Sequence, residues 1–219
     1  ALARRLNRPG ASVLDAGCGT GYLTRPLLER GFNVFGVDLS ATLVEVLGRN
    51  IPPAHQDRVR LRVEDINAFL GREPGPFDAI TCSALLHHLY DYEKAVRGMC
   101  ARLKPGGMLL IFFEPLKQEI RSPRRFALHR RLAQMDEWMY ARLMRRRGVP
   151  VIDDENGLAD YQRRFGGIDA ARLAALIEAC GCEIVELKKY CVRRLAPAAF
   201  IANHILGTAN TFQLLAQKA

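Results

Sequence analysis

The chain has 219 residues, of which 49% are hydrophobic and 25% are charged, and its formal net charge is +9. These proportions exclude an intrinsically disordered chain, and the length suits a single α/β domain over 1–219 with a sizeable core. No apolar run reaches the roughly 18 residues of a membrane span, and no secretory leader is visible.

The first predicted element is a short strand that ends at an acid and opens into a glycine turn. An apolar run at 12–14 stops at Asp15, and three glycines spaced two apart follow within 17–21. Strand, glycine turn and helix build nucleotide sites at the carboxyl end of the first strand of α/β sheets. A dinucleotide fingerprint, G-x-G-x-x-G, is excluded because Tyr22 and Thr24 stand where its third glycine is required.

The rest of the chain alternates strands and helices, which predicts a parallel sheet with right-handed crossovers. The second and third strands end at Asp38 and Asp65, and Ser83 follows the fourth. Asp169 is expected to cap a helix that Gly181 ends. The predicted strands are 12–15, 33–37, 59–63, 77–82, 107–113, 182–191 and 211–216. The predicted helices are 22–30, 41–49, 66–70, 91–103, 169–180 and 196–206.

The Asp-x-Gly-x-Gly-x-Gly motif at 15–21 and the order of these elements resemble the class I S-adenosylmethionine (SAM)-dependent methyltransferases. The resemblance is closest to the ubiquinone and menaquinone biosynthesis group, and it covers about 10–115 and 165–219. It implies a Rossmann-like, seven-stranded, mostly parallel sheet with helices on both faces. The implied strand order is 3-2-1-4-5-7-6 with the last strand antiparallel. The implied methyl donor is SAM, which leaves as S-adenosylhomocysteine.

Two features depart from the family pattern. The segment that joins the last two strands contains a helix, where relatives have a tight hairpin. This segment is a candidate part of the substrate site or of a subunit contact. Whether the protein forms a homodimer is left open. The glycine motif follows Ala1 almost at once, where relatives carry one or two helices that cover the cofactor. We therefore expect a truncated or processed N-terminus.

The resemblance also implies a cofactor site residue by residue. Asp38 would accept the ribose hydroxyls, Asp65 would bind the adenine amino group, and Asp15 would position the loop and the methionine amino group. Taken singly, each acid is more often a solvated strand-end residue than a ligand. The implied set is Asp15, Ala16, Gly17, Cys18, Gly19, Gly21, Asp38, Leu39, Asp65, Ile66 and Ser83.

His87 and His88, which follow the fourth strand, are the candidate catalytic bases. An imidazole with a pKa near 6.5 can accept a proton from a hydroxyl or a phenol at neutral pH. The alternative is that the pair is packed or hydrogen-bonded, and which histidine would act is left open. The chain lacks the Asn/Asp-Pro-Pro-aromatic and Pro-Cys motifs of base methyltransferases, which disfavours nucleobases as acceptors.

The six cysteines predict neither a metal site nor disulfides. None has C-x-x-C spacing, and Cys180 and Cys182 lack a second pair that would complete a zinc site. We expect reduced thiols, no bound metal and a cytoplasmic protein.

The segment 115–165 is predicted to be a helical insertion that acts as a substrate lid. Its part at 121–147 holds nine arginines and two acids, which accounts for most of the net charge. Apolar side chains recur there at helical spacing, on one face: Leu128, Leu132, Met135, Met139 and Leu143.

Two interpretations of this insertion stay open. In one, the helix packs on the sheet domain and its arginines are solvated. In the other, its Met/Trp face contacts an apolar acceptor, while its arginines bind an anionic group or a membrane surface. The candidate acceptor residues are Trp138, Met135, Met139 and Arg131.

Together these features predict in-line methyl transfer from SAM to a small, largely apolar acceptor. Whether that acceptor also carries an anionic group is left open. Phenol or quinone precursors, polyketides and lipid-like metabolites fit this description. The alternatives are an RNA or protein methyltransferase that uses the basic insertion, and a SAM-binding, non-catalytic partner subunit. Nucleic acid is disfavoured because few aromatic residues accompany the arginines and no RNA-binding module is evident.

Overall fold

The computed structural model describes residues 6, 8–72, 75–149, 161–164 and 166–219, in which seven strands form one sheet. The strands are β1 (Ser12–Ala16), β2 (Asn33–Asp38), β3 (Val59–Val63), β4 (Phe77–Ser83), β5 (Leu103–Pro115), β6 (Cys182–Tyr190) and β7 (Thr211–Lys218). The helices are α1 (Thr24–Glu29), α2 (Ala41–Arg49), α3 (Ile66–Arg72), α4 (Tyr92–Ala101), α5 (Pro123–Arg146), α6 (Tyr161–Arg164), α7 (Ala170–Ala179) and α8 (Ala196–Phe200). Short 3₁₀ turns lie at Pro53–Arg58 and Leu86–His88, and a π-helical turn, Ile201–Leu206, continues α8.

The strand order is β3-β2-β1-β4-β5-β7-β6, which confirms the predicted topology. The strands from β3 to β5 pair in parallel, while β7 runs antiparallel to both β5 and β6. The chain adds β2 and β3 on one side of β1 and then β4 and β5 on the other side, so the order of the strands reverses between β1 and β4. In such sheets, ligands bind beyond the carboxyl ends of the strands at this switch point.

Each face of the sheet buries its own apolar layer, because successive side chains of a strand point to opposite faces. Leu14 and Ile80 pack on one face with residues of α3, α4 and α7. Val13 and Ala79 pack on the other with residues of α1 and α2. The central strands are therefore covered on both sides, which explains why their sequences are almost continuously apolar.

The ends of α7 follow the sequence signals, whereas the start of α1 does not. Asp169 accepts hydrogen bonds from the backbone N–H groups of Ala171 and Arg172 and so caps α7 as predicted. Gly181, just beyond that helix, has a φ of 75°. Helix α1 begins later than predicted, at Thr24, because the glycine turn continues through Gly21, whose N–H bonds back into the loop.

The insertion contains the predicted helix, α5, but most of its apolar face is not packed on the sheet domain. The residues of that face that stay 36–50% exposed are Leu128, Met135, Met139 and Leu143. The buried stripe consists of His129, Leu132 and Asp136 instead. Residues 150–160 of the predicted insertion lie outside the described residues.

Polar contacts explain why α5 buries this stripe. The Asp136 carboxylate accepts hydrogen bonds from the backbone N–H groups of Arg194 and Leu195, at the start of α8. The His129 ring bonds to Thr208 through Nδ1, at 2.8 Å, and accepts a hydrogen bond from Arg193 at Nε2. Helix α5 is thus attached to the segment that joins β6 and β7.

The six cysteines are free thiols, and all but Cys180 are buried. Among the described residues, no three His, Cys, Asp or Glu side chains are grouped so as to hold a metal ion. No described helix is both long and apolar enough to cross a membrane.

Candidate active site

The turn after β1 brings the backbone to the edge of open space. Gly19 has a φ of +50°, and no atom lies within 4 Å of the point where a Cβ would stand. Gly17 has a φ of +70°, and a Cβ there would come within 2.9 Å of the Leu85 side chain. Both positions therefore need glycine, and the turn leaves room for a ligand to approach the main chain closely.

Two adjoining cavities open at the carboxyl ends of β1, β2 and β4, with volumes of about 640 and 450 Å³. They share the residues Gly17, Gly19, Leu43, Ser83 and Ala84. The larger cavity is completed by Val37, Asp38, Leu39, Ser40, Glu64, Asp65, Ile66, Leu85, His88 and Leu89. The smaller cavity is completed by Asp15, Cys18, Thr20, Tyr22, Leu23 and Phe113.

Two acids at strand ends line the larger cavity and also organise its backbone. Asp38 accepts hydrogen bonds of 2.9 Å from the N–H groups of Gly19 and Ser40, one on each carboxylate oxygen. Asp65 accepts one from the N–H of Ala68 in the first turn of α3. A carboxylate oxygen has two lone pairs, so each group keeps acceptor capacity for a ligand hydroxyl or amino group.

Asp15 is almost fully buried beneath the glycine turn. The hydroxyls of Thr24 and Thr81 donate hydrogen bonds to its two oxygens at 2.6 and 3.0 Å. Burial raises the pKa of Asp15 from 3.8 to about 6, although these two hydroxyls act in the opposite direction. The two hydroxyls thus fix the orientation of the Asp15 carboxylate at the wall of the smaller cavity. With a pKa of about 6, this carboxylate is mostly ionised at neutral pH.

Cys18 shares this acidic surrounding and is not a nucleophile at neutral pH. Burial raises the pKa of its thiol to about 12, and the charges of Asp15 and Asp38 act in the same direction. Since the thiolate is the reactive form of cysteine, Cys18 serves as a small packing residue of the loop.

The electrostatic character of the cavities is opposite to that of the whole chain. Among the described residues, their walls carry four carboxylates, those of Asp15, Asp38, Glu64 and Asp65, and no lysine or arginine. Glu64 forms an ion pair with Arg72, which lies outside both linings. Carboxylates at these walls disfavour a phosphate-bearing ligand. A cationic ligand with hydroxyl groups and a planar apolar part fits them.

The two histidines have different environments. His87 is buried, and its Nδ1 donates to Glu114 at 2.9 Å. Glu114 is fully buried and also accepts hydrogen bonds from the backbone N–H groups of Leu85, Leu86 and His87. His88 is exposed and lines the larger cavity. Only His88 stands at a cavity wall, while His87 anchors the loop after β4.

The structure brings together most of the implied cofactor residues but leaves two of them away from the cavities. Ala16 is completely buried in the core, because its position in β1 turns it away from the strand end. Gly21 makes the turn, and a Cβ there would come within 2.4 Å of the Leu47 side chain. The other nine line one cavity or both.

Several wall residues were not anticipated from the sequence. Tyr22, Leu43 and Phe113 line the smaller cavity, and Glu114 accepts a hydrogen bond from the backbone N–H of Leu85 in the loop after β4. The signal for Glu114 was an acid at the end of an otherwise apolar strand. Tyr22 and Phe113 reach the same cavity only through tertiary structure, so no local pattern could pair them.

The candidate acceptor residues of α5 do not line either cavity. Met135, Trp138 and Met139 are 49%, 62% and 44% exposed, and Arg131 is exposed as well. The Arg142 guanidinium lies over the Trp138 ring, 5.5 Å from its centre. Their role toward an acceptor stays a prediction.

A family model described as "Methyltransferase domain" matches residues 1–187 of the chain. The ubiquinone biosynthesis O-methyltransferase of Xanthomonas campestris pv. campestris (strain B100) is 38% identical over 127 residues, which are 58% of this chain and 51% of that protein. The protein of the same name from Coxiella burnetii (strain Dugway 5J108-111) is 33% identical over 121 residues, 55% of this chain and 50% of that protein. The chain thus spans about half the length of the curated relatives it matches.

Solved structures share the fold across nearly the whole chain. Magnesium protoporphyrin IX methyltransferase from Synechocystis PCC 6803, crystallised with bound SAH, has a TM-score of 0.61 and 15% identity, covering 96% of this chain and 75% of that one. A [4+2]-cyclase has a TM-score of 0.64 and 19% identity, covering 99% and 79%. One fold thus carries different chemistries, and the reaction has to be argued from the site.

Proposed function

The chain belongs to the methyltransferase domain family, and we propose that it binds SAM in the two cavities and transfers the methyl group to a small, largely apolar acceptor. The observation that carries this proposal is a set of four carboxylates around a glycine turn at the switch point of the sheet, with no lysine or arginine from the described part of the chain. SAM is a nucleoside with two cationic groups and no phosphate, so its charges match these walls.

The residues at the walls suit separate parts of the cofactor. Asp38 would accept the ribose hydroxyls, and Asp65 with the backbone of Ile66 would bind the adenine ring. The remaining lone pairs of the Asp15 carboxylate would accept hydrogen bonds from the methionine ammonium group. Gly17 and Gly19 would let the main chain approach the ligand without a side chain between them.

Bound SAM supplies an activated methyl group on a sulfonium, so the chain mainly has to position the reactants. The acceptor atom forms its bond to the methyl carbon as the carbon–sulfur bond breaks and its electron pair returns to sulfur. Ser83 and Ala84 border both cavities, and the acceptor would approach the methyl group of the bound cofactor there, in line with the carbon–sulfur bond. Such positioning can supply about 7–11 kcal/mol of a reaction barrier.

His88 is the better of the two candidate bases, because it lines the larger cavity while His87 is buried against Glu114. An imidazole at that wall can take the acceptor's proton and pass it to solvent. We expect His88→Gln to lower turnover while SAH affinity stays within about twofold of the wild type. Unchanged turnover in this variant would show that His88 is not the catalytic base.

Calorimetry with SAM and SAH tests the cofactor proposal directly. We expect both to bind, NAD⁺ not to bind, and Asp38→Asn to weaken SAH binding about tenfold, since it removes a charged acceptor. Asp57→Asn is the matched control, because Asp57 is exposed and lines neither cavity. Binding of NAD⁺ in place of SAH would contradict the proposal.

The names of the sequence relatives suggest the acceptor class. The sequence relatives are named ubiquinone biosynthesis O-methyltransferases, so phenol and quinone precursors lead, ahead of polyketides and lipid-like metabolites. A screen of metabolite extracts with methyl-labelled SAM would identify the acceptor. Label that enters only RNA or protein would favour a macromolecular methyltransferase, and no label anywhere, despite SAM binding, would favour a non-catalytic partner subunit.

We also propose that α5 contacts an anionic membrane surface. All nine arginines between 121 and 147 are exposed, and none forms an ion pair with a carboxylate of the described residues. The indole of Trp138 and the thioethers of Met135 and Met139 are exposed on the same helix. Arginines beside an exposed tryptophan are typical of helices that lie at a lipid interface.

A further inference from the structure

A third cavity, of about 620 Å³, opens beyond the end of β5 and the start of β7. Its walls come from three parts of the chain: the segment 116–125 after β5, Lys189 near the end of β6, and the segment 203–209 before β7. No described residue of these walls also lines the two cavities assigned to the cofactor. We call this third cavity the basic cavity, and it is a separate site.

The charge of the basic cavity is opposite to that of the cofactor cavities. Its described walls carry three cationic side chains, those of Arg121, Arg125 and Lys189, and one carboxylate, that of Glu119. Ser122, which caps the start of α5, lines the cavity as well, so the positive end of the dipole of this helix lies at the wall. An anionic ligand is therefore favoured here and disfavoured in the cofactor cavities.

Contacts with the main chain hold Arg125 in place. Its Nη2 donates to the carbonyl oxygens of Leu206 and Gly207, where the π-helical turn ends. Gly207 has a φ of +56°, and a Cβ there would come within 3.0 Å of Nη2, so glycine permits this close approach. A guanidinium has five N–H donors, and both described bonds use Nη2. The donors on Nε and Nη1 are thus left for a ligand.

The only described carboxylate of the walls is already neutralised. The Lys189 ammonium contacts both oxygens of Glu119, at 2.8 and 3.0 Å. Among the described residues, no carboxylate forms an ion pair with Arg121 or Arg125. The positive charge that remains is therefore that of the two arginines, and Glu119 would compete with a bound anion for Lys189.

The rest of the lining includes apolar side chains. Leu116 is buried, while Ile120 and Ala209 are half-buried, and all three line the cavity. A small inorganic anion would leave these side chains without a partner. A ligand with an apolar body would cover them and gain the free energy of removing apolar surface from water.

We propose that the basic cavity binds a small amphiphilic oxyanion, a carboxylate or a phosphate monoester on an apolar body. Its charged end would contact Arg121 and Arg125, and its apolar part would lie against Leu116 and Ile120. Guanidinium groups bind both kinds of oxyanion through paired hydrogen bonds. The inference goes beyond the proposed function, and it does not depend on the identity of the methyl donor.

The test is a ligand-observed NMR titration of the full chain with octanoate, octyl phosphate, 1-octanol and inorganic phosphate. We expect octanoate or octyl phosphate to bind more tightly than 1-octanol and inorganic phosphate, since only the amphiphilic anions engage both the arginines and the apolar wall. Arg121→Gln and Arg125→Gln should each weaken binding of the tighter probe about fivefold. Arg124→Gln is the matched control, because Arg124 is exposed in the same helical turn and lines none of the three cavities. Its effect should stay within about twofold.

Glu119→Gln should strengthen binding of the same probe about threefold, because it removes the carboxylate that occupies Lys189. A damaged fold does not produce a gain in affinity, so this variant keeps the test valid if Arg125→Gln loosens the turn at Leu206. Saturating SAH should leave the affinity for the probe unchanged, since the cavities are separate.

Four results would overturn the basic cavity as an anion site. They are equal binding of 1-octanol, equal binding of inorganic phosphate, a loss in the Arg124 variant as large as that in the Arg121 variant, and no gain in the Glu119 variant. Competition between the probe and SAH would place the probe in the cofactor cavities and would overturn the proposal as well. Failure of SAH to bind the wild-type chain would defeat the proposed cofactor instead.

Discussion

Single residues of this site combine structural and chemical roles, and Glu114 is the clearest case. Its carboxylate accepts four hydrogen bonds, three of them from backbone N–H groups of residues 85–87 and one from the His87 ring. It is fully buried. A neutral amide in its place would present N–H groups to N–H donors, which leaves buried donors unsatisfied.

We therefore expect Glu114→Gln to lower the free energy of unfolding by about 2–4 kcal/mol in urea denaturation. Glu45→Gln is the control, because Glu45 is exposed and pairs only with Arg49 one helical turn away. Its effect should stay below about 0.5 kcal/mol. Equal stability of the Glu114 variant and the wild type would show that the loop does not depend on this carboxylate.

Asp15 gives the cofactor proposal a pH dependence. Burial raises the pKa of Asp15 to about 6, so the charge that would meet the methionine ammonium is present above that pH and is lost below it. If only the ionised form binds, SAH affinity falls about tenfold between pH 7 and pH 5. Calorimetry across this range measures the slope.

The variant Asp15→Asn should bind SAH weakly and without this slope, while His88→Gln, which leaves Asp15 unchanged, should keep it. The ligand's own amino and carboxyl groups do not change charge over this range. A slope that persists in the Asp15 variant would assign the titration to a different group.

At the scale of elements, polar contacts rather than apolar periodicity decide how α5 is attached. Its apolar stripe was visible in the sequence, yet only Leu132 of that stripe is buried. The neighbouring His129 and Asp136 are buried because the β6–β7 segment offers them partners. Those partners are distant in the chain, so a periodicity argument could not include them.

We expect Asp136→Ala to destabilise the chain by about 1–3 kcal/mol, because two backbone N–H groups at the start of α8 lose their acceptor. Glu137→Ala is the matched control one residue later, where the side chain is exposed and lies 3.7 Å from Arg194. Urea unfolding of both variants measures the difference. Identical losses would mean that α8 does not depend on this cap.

At the scale of the whole molecule, strand order, the glycine turn and the strand-end acids followed from the sequence because local patterns determine them. The positive φ angles of Ala84 and Phe113 and the burial of Glu114 did not, since each depends on two segments meeting. The sequence thus predicted which residues line the cavities at the switch point better than it predicted how α5 is attached.

The uneven distribution of charge predicts salt-dependent binding to anionic vesicles. Arg145→Gln with Arg146→Gln should weaken co-sedimentation with phosphatidylcholine vesicles containing phosphatidylglycerol about thirtyfold, at about 1 kcal/mol per arginine. Arg60→Gln with Arg62→Gln, an equal charge change on the exposed strand β3, should have little effect. Equal binding to neutral vesicles, or binding insensitive to 0.5 M salt, would contradict a membrane role, because screening shortens electrostatic attraction to about 4 Å there.

The hydrogen bonds from the loop after β4 to Glu114 have a thermodynamic consequence for the binding of two ligands at the site. Phe113, at the smaller cavity, and His88, at the larger one, belong to segments joined by that one carboxylate. A ligand that stiffens either segment stiffens the other. The second ligand then meets a site whose ordering entropy has already been lost, so each should raise the affinity of the other by the same factor.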